Sequence, residues 1–271
     1  MEDCALYEPT AWNKRYSSID TKIENDVKKI INRVIIKGDE ALINYTKKFD
    51  KIILNKNNFS PNYTSINYKK NTDKKILNSF KKAIKNITNF HKKQLPNDIL
   101  QTNNNIKLRT RWRPIDSVGL YIPGGNAFYP SSLIMNVVPA QIAGVKRIVC
   151  VTPPTKKPNP YLLYLLKELK ISEVYFVGGA QAIAALAIGT KKIKAVNKIF
   201  GPGNAYVAEA KRQLFGKVGI DLIAGPSEIV VVADKDNNPK WVAADLMAQA
   251  EHDINAQSIL ITDNLSFAKN V

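Results

Sequence analysis

Residues 118–125 read VGLYIPGG, a short apolar run that ends in a turn of proline and glycine. The same arrangement recurs later in the chain, and a helical pattern follows most copies. The later turns read VTPP at 151–154, VGGAQ at 177–181, FGPGN at 200–204 and IAGPSE at 223–228. Short apolar strands that alternate with helices predict an α/β fold with mostly parallel sheets.

The individual elements follow from the spacing of apolar residues. Strands are expected at 118–122, 147–152, 173–177, 198–200, 229–233 and 258–262. Helices are expected at 131–143, 161–170, 180–189, 204–215 and 239–251. Before residue 105, helical spacing predicts two amphipathic helices, one through Ile23, Val27, Ile30, Ile31 and Val34, the other through Ile76, Phe80, Ile84 and Ile87. Residues 106–113 alternate apolar and basic side chains, which predicts a half-buried strand with its arginines facing solvent.

The 271-residue chain has the composition of a globular protein, with 45% hydrophobic and 23% charged residues. Its net charge of +17 would suit a basic nucleic-acid-binding protein, which stays open as an alternative. The positive charge comes from 33 lysines but only 7 arginines, and the lysines are spread along the chain. Because nucleic-acid recognition favours arginine, we interpret the lysines as solvated surface and expect no nucleic-acid partner.

The sequence gives no sign of a membrane or secretory protein. No apolar run approaches the roughly 20 residues that a transmembrane helix needs. The acidic N-terminus, MEDCALYEPT, lacks the basic and apolar regions of a signal peptide, so a cytoplasmic location is expected. Two cysteines cannot build a disulfide framework, and Cys150 lies in an apolar run that predicts a core position.

The turns after the strands are the best candidates for a ligand site. Ligands of open α/β sheets bind beyond the carboxyl ends of the strands. Glycine lets the backbone approach a ligand closely, and a helix N-terminus favours an anion such as a pyrophosphate. Asn204 is expected to cap the helix that follows FGPGN. The chain has neither G-x-G-x-x-G nor a P-loop, so the succession of turns, and not one motif, indicates a nucleotide site.

A second candidate is the sequence Gln249-Ala250-Glu251-His252 at the end of the last long helix. Positions three apart share a helix face, so Gln249 and His252 can converge on one ligand. A histidine with an oxygen donor one turn away could form half of a metal site. The only other histidine, His91, ends a helical pattern beside Phe90 and is interpreted as structural.

Four blocks of this sequence closely resemble the histidinol dehydrogenase family, in the family's order. They are VGLYIPGG at 118–125, VGGAQAIAAL at 177–186, FGPGNAYVAEAKRQ at 200–213, and the stretch from Ile220 to Asp253 that holds IAGPSE and QAEHD. The resemblance implies an NAD-dependent oxidoreductase that converts L-histidinol to L-histidine through L-histidinaldehyde. It also implies a zinc ion that anchors the substrate, and a cytoplasmic homodimer.

The resemblance assigns roles to individual residues. Tyr121, Gln181 and Asn204 would contact NAD. Ser227, Gln249 and His252 would contact the substrate, and Gln249 and His252 would also hold zinc. The implied architecture has two Rossmann-like domains, the second inserted into the first. Residues 14–120 and 228–271 would form the main domain, 121–227 the inserted domain, and 1–13 a separate N-terminal segment.

The family's catalytic Glu-His pair and its remaining zinc ligands have no counterpart up to Val271. The sequence therefore predicts the N-terminal part of a longer enzyme. As written, the chain is expected to form no NADH from histidinol, and histidinol-dependent NADH formation by these 271 residues would contradict that expectation. An inactive relic is the other alternative.

Overall fold

The computed structural model describes residues 21–60, 72–124, 129–223, 228–251 and 256–271. These residues group into two compact units, Lys22–Ile223 and the described part of Ala224–Val271. Ser227 and His252 lie outside the described residues. No helix in the described ranges is long and apolar enough to cross a membrane.

The elements are numbered here in chain order. The helices are α1 (Thr21–Lys37), α2 (Asp39–Phe49), α3 (Lys56–Phe59), α4 (Lys74–Lys92), α5 (Pro130–Ile142), α6 (Pro160–Glu168), α7 (Gly179–Ile188), α8 (Ala205–Leu214), α9 (Pro239–Ala250) and α10 (Leu265–Asn270). The strands are β1 (Ile99–Asn103), β2 (Ile106–Thr110), β3 (Ser117–Tyr121), β4 (Arg147–Thr152), β5 (Glu173–Phe176), β6 (Lys198–Phe200), β7 (Gly219–Ile220), β8 (Glu228–Val232) and β9 (Gln257–Ile261).

The first unit is built on a five-stranded sheet in the order β5-β4-β3-β6-β7, and every pair in it is parallel. The chain enters at the central strand, moves out to one edge, and returns to build the other edge. This is the doubly wound order of a Rossmann-like half. The predicted α/β class with a parallel sheet is therefore confirmed.

The sheet is buried on both faces, because alternate side chains of each strand enter two different cores. In β4, Val149 and Val151 join the core that contains α1, α2, α7 and α8, whereas Cys150 joins the core that contains α5 and α6. Strands covered on both faces read as continuous apolar runs, which is why the sequence located them closely. The predicted apolar face of α1 also packs inward, as do Phe80, Ile84 and Ile87 of the predicted α4 face, whereas Ile76 of that face is exposed.

One predicted strand was placed correctly but given the wrong environment. Residues 106–110 form β2, yet every residue of β1 and β2 is exposed, and Ile106 and Leu108 are both 62% exposed. The two strands form a two-stranded antiparallel sheet of their own. The alternating pattern predicted a covered apolar face, and the described part of the chain supplies no layer for it.

The second unit contains a smaller parallel pair, β8 and β9, joined by α9. Its core consists of Ala233, Val242 and Phe267 with a few partly buried neighbours. Strand, helix and parallel strand in succession match the sequence-based expectation for this region.

The predicted division into domains stays a prediction. Its boundary between residues 120 and 121 falls inside β3, the central strand of the five-stranded sheet. Helices α1 and α2 share a core with that sheet. In this structure α1 and α2 therefore pack against the five-stranded sheet, and the proposed grouping of 14–120 with 228–271 is left as a proposal.

Candidate nucleotide-binding site

The candidate site lies where the strand order reverses. From β3 the chain continues to β4 on one side, and β6, the other neighbour of β3, leads to β7 on the opposite side. Connections that diverge in this way leave a crevice at the carboxyl ends of the two strands, which is where open α/β sheets bind ligands. Tyr121 ends β3, and Gly201 directly follows β6.

Gly201 brings two backbone segments into contact at this crevice. Its φ is +113°, a conformation that residues with a side chain rarely adopt. A Cβ atom on Gly201 would lie 2.1 Å from the carbonyl oxygen of Tyr121. The turn FGPGN therefore depends on glycine at this position, both for its backbone conformation and for the space it needs.

Asn204 ends the same turn and caps α8, as the sequence predicted. Its Oδ1 accepts a hydrogen bond from the Val207 N–H at 3.1 Å. The side chain is exposed, so it lies within reach of solvent at the N-terminus of the helix. Free N–H groups at this terminus favour an anionic ligand.

Tyr121 is 4% exposed, and its hydroxyl oxygen accepts a hydrogen bond from the Gly179 N–H at 3.1 Å. Burial raises the pKa of Tyr121, the Gly179 N–H lowers it in part, and the Asp50 carboxylate raises it further. Since an ordinary tyrosine titrates near pH ~10, this hydroxyl stays protonated at neutral pH and keeps its proton for another acceptor.

Gln181 lies at the start of α7 and is 1% exposed. Its Oε1 has no hydrogen-bond partner among the described residues. The amide folds over Gly179, where a Cβ would lie 2.8 Å from Oε1, and Gly179 has φ +67°. A buried amide oxygen without a partner is costly, so a ligand that donates a hydrogen bond would satisfy it.

The structure places Tyr121, Gln181 and Asn204 at the end of the five-stranded sheet where the carboxyl ends of its strands meet. Gly179 contacts both Tyr121 and Gln181, and Gly201 joins the Asn204 turn to Tyr121. Gln249 lies in the last turn of α9 in the second unit and is half-buried. Within the described ranges no group of three or more His, Cys, Asp or Glu residues could hold a metal ion.

Two other sequence expectations are settled by side-chain surroundings. Cys150 is 1% exposed, and burial raises the pKa of its thiol to about 12, so it is a core residue and not a nucleophile. His91 lies at the end of α4, where Nδ1 is 2.7 Å from Oε1 of Gln94 and the ring contacts Phe90. Both agree with the structural roles predicted for them.

One feature of the site, an ion pair that contacts Gly201, was not predicted from the sequence. Lys211 on α8 is 3% exposed, and its Nζ lies 2.7 Å from Oδ1 of Asp221. The signal was present in the sequence, because Lys211 occupies the same helix face as the buried residues Val207 and Leu214. A lysine on a buried face needs a partner, and the next acidic residue along the chain is Asp221.

Comparison with known proteins identifies the family. The family model described as histidinol dehydrogenase matches residues 13–271. The chain belongs to the histidinol dehydrogenase family. It is 50% identical over 256 residues to histidinol dehydrogenase of Brucella abortus, covering 93% of this chain and 60% of that protein. It is 48% identical over 273 residues to histidinol dehydrogenase 1 of Trichormus variabilis, covering 100% of this chain and 63% of that protein.

A solved structure supports the same membership. The chain superposes on the crystal structure of histidinol dehydrogenase from Elizabethkingia anophelis with a TM-score of 0.84 and 38% sequence identity. The match covers 92% of this chain and 58% of that one. The predicted family and α/β fold are thus confirmed, and the chain spans about 60% of the length of the relatives it matches.

Proposed function

We propose that this chain carries the NAD-binding part of an enzyme that oxidises L-histidinol to L-histidine through L-histidinaldehyde, in histidine biosynthesis. Family membership supports the reaction, since the relatives are named histidinol dehydrogenase. The observation that carries the NAD site is the buried Oε1 of Gln181, which has no hydrogen-bond partner among the described residues and lies next to Gly179, whose N–H donates to the Tyr121 hydroxyl. Tyr121 ends the central strand at the switch point of the doubly wound sheet, and Gln181 follows β5 at the carboxyl end of the same sheet.

The residues at this edge fit a dinucleotide. The N-terminus of α8, which directly follows the FGPGN turn, offers backbone N–H groups to an anion, as a pyrophosphate needs. The Tyr121 hydroxyl has a proton to donate, and Gln181 Oε1 can accept one from a ligand hydroxyl or amide. When bound, NAD would supply the hydride acceptor, and these residues would hold it in position.

The substrate and zinc assignments rest on the family resemblance. Ser227, Gln249 and His252 are proposed to contact histidinol, and Gln249 and His252 to bind zinc. The described residues do not by themselves form a zinc site, so no chemical step is derived through the metal. A homodimer, a cytoplasmic location and the absence of a nucleic-acid partner are proposed on the same basis and from the scattered lysines.

Gln181→Leu tests the NAD site. Leucine removes the unpartnered oxygen, so we expect the free energy of unfolding to rise by about 1 kcal/mol. The same change removes a hydrogen bond to NAD, so affinity is expected to fall about tenfold. Chemical denaturation and NAD titration of the same samples measure the two effects. The variant should be more stable than the unaltered chain and should bind NAD more weakly.

Thr46→Val is the matched control. Thr46 in α2 is fully buried, and its Oγ1 also has no hydrogen-bond partner among the described residues. Valine at position 46 should stabilise the chain to a similar degree and leave NAD affinity unchanged. If NAD binds equally well to the Gln181→Leu variant, the assignment of Gln181 to the cofactor is wrong.

A further inference from the structure

We propose that the buried Lys211–Asp221 pair is a positioning device for the dinucleotide site, which it acts on by fixing the backbone of Gly201. The proposal deepens the function above and rests on it, because it assumes that the FGPGN turn at 200–204 contacts NAD. Lys211 and Asp221 act through Gly201 and are not themselves assigned to the ligand.

Lys211 and Asp221 form hydrogen bonds with both backbone polar groups of Gly201. Nζ of Lys211 donates to the Gly201 carbonyl oxygen at 2.5 Å and to Asp221 Oδ1 at 2.7 Å. Oδ2 of Asp221 accepts from the Gly201 N–H at 2.8 Å. Asp221 Oδ1 also accepts from the Leu222 N–H at 2.7 Å.

Gly201 needs these partners because it lies just beyond the sheet. The pairing of β6 with β3 ends at Phe200, and its pairing with β7 ends at Ile199. The pairing of β6 with both neighbouring strands therefore stops before Gly201. The side chains of Lys211 and Asp221 make the hydrogen bonds to Gly201 that neighbouring strands would otherwise make. The pair ties together the end of β6, the end of β7 and helix α8.

The consequence for the site follows from how closely Gly201 approaches its neighbours. A Cβ on Gly201 would meet the carbonyl oxygen of Tyr121, so the backbone of Gly201 packs directly against β3. A small rotation of the Gly201 backbone would therefore press it against β3. Three residues later the chain reaches Asn204, whose side chain caps the helix that carries Lys211. The pair thus sets the position of the whole turn relative to Tyr121.

A second ion pair in the same sheet provides the contrast. Arg147 and Glu173 make a bidentate contact at 2.7 and 2.8 Å. They are the first residues of β4 and β5, so they lie at the amino ends of the parallel strands, opposite the crevice. Breaking the Arg147–Glu173 ion pair should lower the stability of the sheet without changing the crevice at the carboxyl ends of the strands, where the nucleotide is proposed to bind.

The test compares Lys211→Met and the double variant Lys211→Met/Asp221→Asn with the control Arg147→Met/Glu173→Gln, all in the 271-residue chain. The double variant leaves no unpaired buried charge, so it keeps the test possible if Lys211→Met alone does not fold. Hydrogen exchange of the backbone N–H groups of Gly201, Gly203 and Asn204, the residues of this turn that have one, and titration with NAD are measured on each.

We expect exchange of the Gly201, Gly203 and Asn204 amides to rise about tenfold in the double variant, since the turn loses the hydrogen bonds that hold it. NAD affinity should fall about tenfold as the turn loses its preorganised geometry. The Arg147→Met/Glu173→Gln control should lower the free energy of unfolding while leaving both readings unchanged.

The two proposals fail in different ways. Unchanged exchange at 201–204 in the double variant would overturn the positioning role even if NAD binds. Raised exchange with unchanged NAD affinity would also overturn it, because the turn would then not serve the ligand. If the unaltered chain does not bind NAD at all, the proposed NAD site is wrong and the positioning role falls with it.

Discussion

Gly201→Ala is expected to destabilise the chain by about 3–5 kcal/mol and to eliminate measurable NAD binding. Two costs add at this position. The backbone of Gly201 has φ +113°, which is strained for alanine, and the new Cβ would lie 2.1 Å from the carbonyl oxygen of Tyr121. Backbone cannot rotate aside as a side chain can, so β3 and β6 must separate at the crevice where the dinucleotide is proposed to bind.

Gly216→Ala separates the conformational cost from the steric one. Gly216 has φ +94°, but a Cβ there would meet nothing within 4 Å. Only the strain of the backbone remains, so we expect a loss of about 1–2 kcal/mol and no change in NAD binding. Urea denaturation of both variants gives the comparison, and equal losses would show that the approach of Gly201 to Tyr121 is not close in solution.

The sequence located the elements of the parallel sheet because each strand is buried on both faces. Strands β4 and β6 were predicted at their observed bounds, and β3, β5, β8 and β9 were placed within one residue, whereas β1 was not predicted. It missed β7, because a strand of two residues, Gly219 and Ile220, carries no detectable pattern. It gave β2 the wrong environment, since alternation indicates a strand but does not supply the layer that would cover it.

The site could be predicted only in part. The family resemblance pointed to Tyr121, Gln181 and Asn204, and the structure places all three at one edge of the sheet. Their roles toward NAD stay predictions, as do those of Ser227, Gln249 and His252. The sequence could not predict the geometry of the site. Both the lack of a hydrogen-bond partner for Gln181 Oε1 and the hydrogen bond from Gly179 to Tyr121 depend on contacts between elements that are distant in the sequence.

Leu186→Ala is expected to cost about 3–5 kcal/mol, because it empties a fully buried volume between α7 and β3. Leu186 is 0% exposed and packs where β3 carries Gly119. The same helix begins beside Tyr121 and carries Gln181, so loosening it should also weaken NAD binding. Denaturant unfolding and NAD titration would report both effects, and a loss below about 1 kcal/mol would show that the core rearranges to fill the space.

Gly119→Ala provides the reverse change at the same contact. A Cβ there would lie 2.8 and 2.9 Å from the two methyl carbons of Leu186, so overpacking should cost about 1–3 kcal/mol. In the double variant Gly119→Ala/Leu186→Ala the two Leu186 methyls are gone, the added carbon occupies part of the cavity, and only the milder contact with Val196 Cγ2 at 3.1 Å remains. The double variant should therefore lose less stability than the two single losses combined. Strict additivity would mean that β3 and α7 do not meet at this contact, and that Tyr121 and Gln181 are held together by other residues.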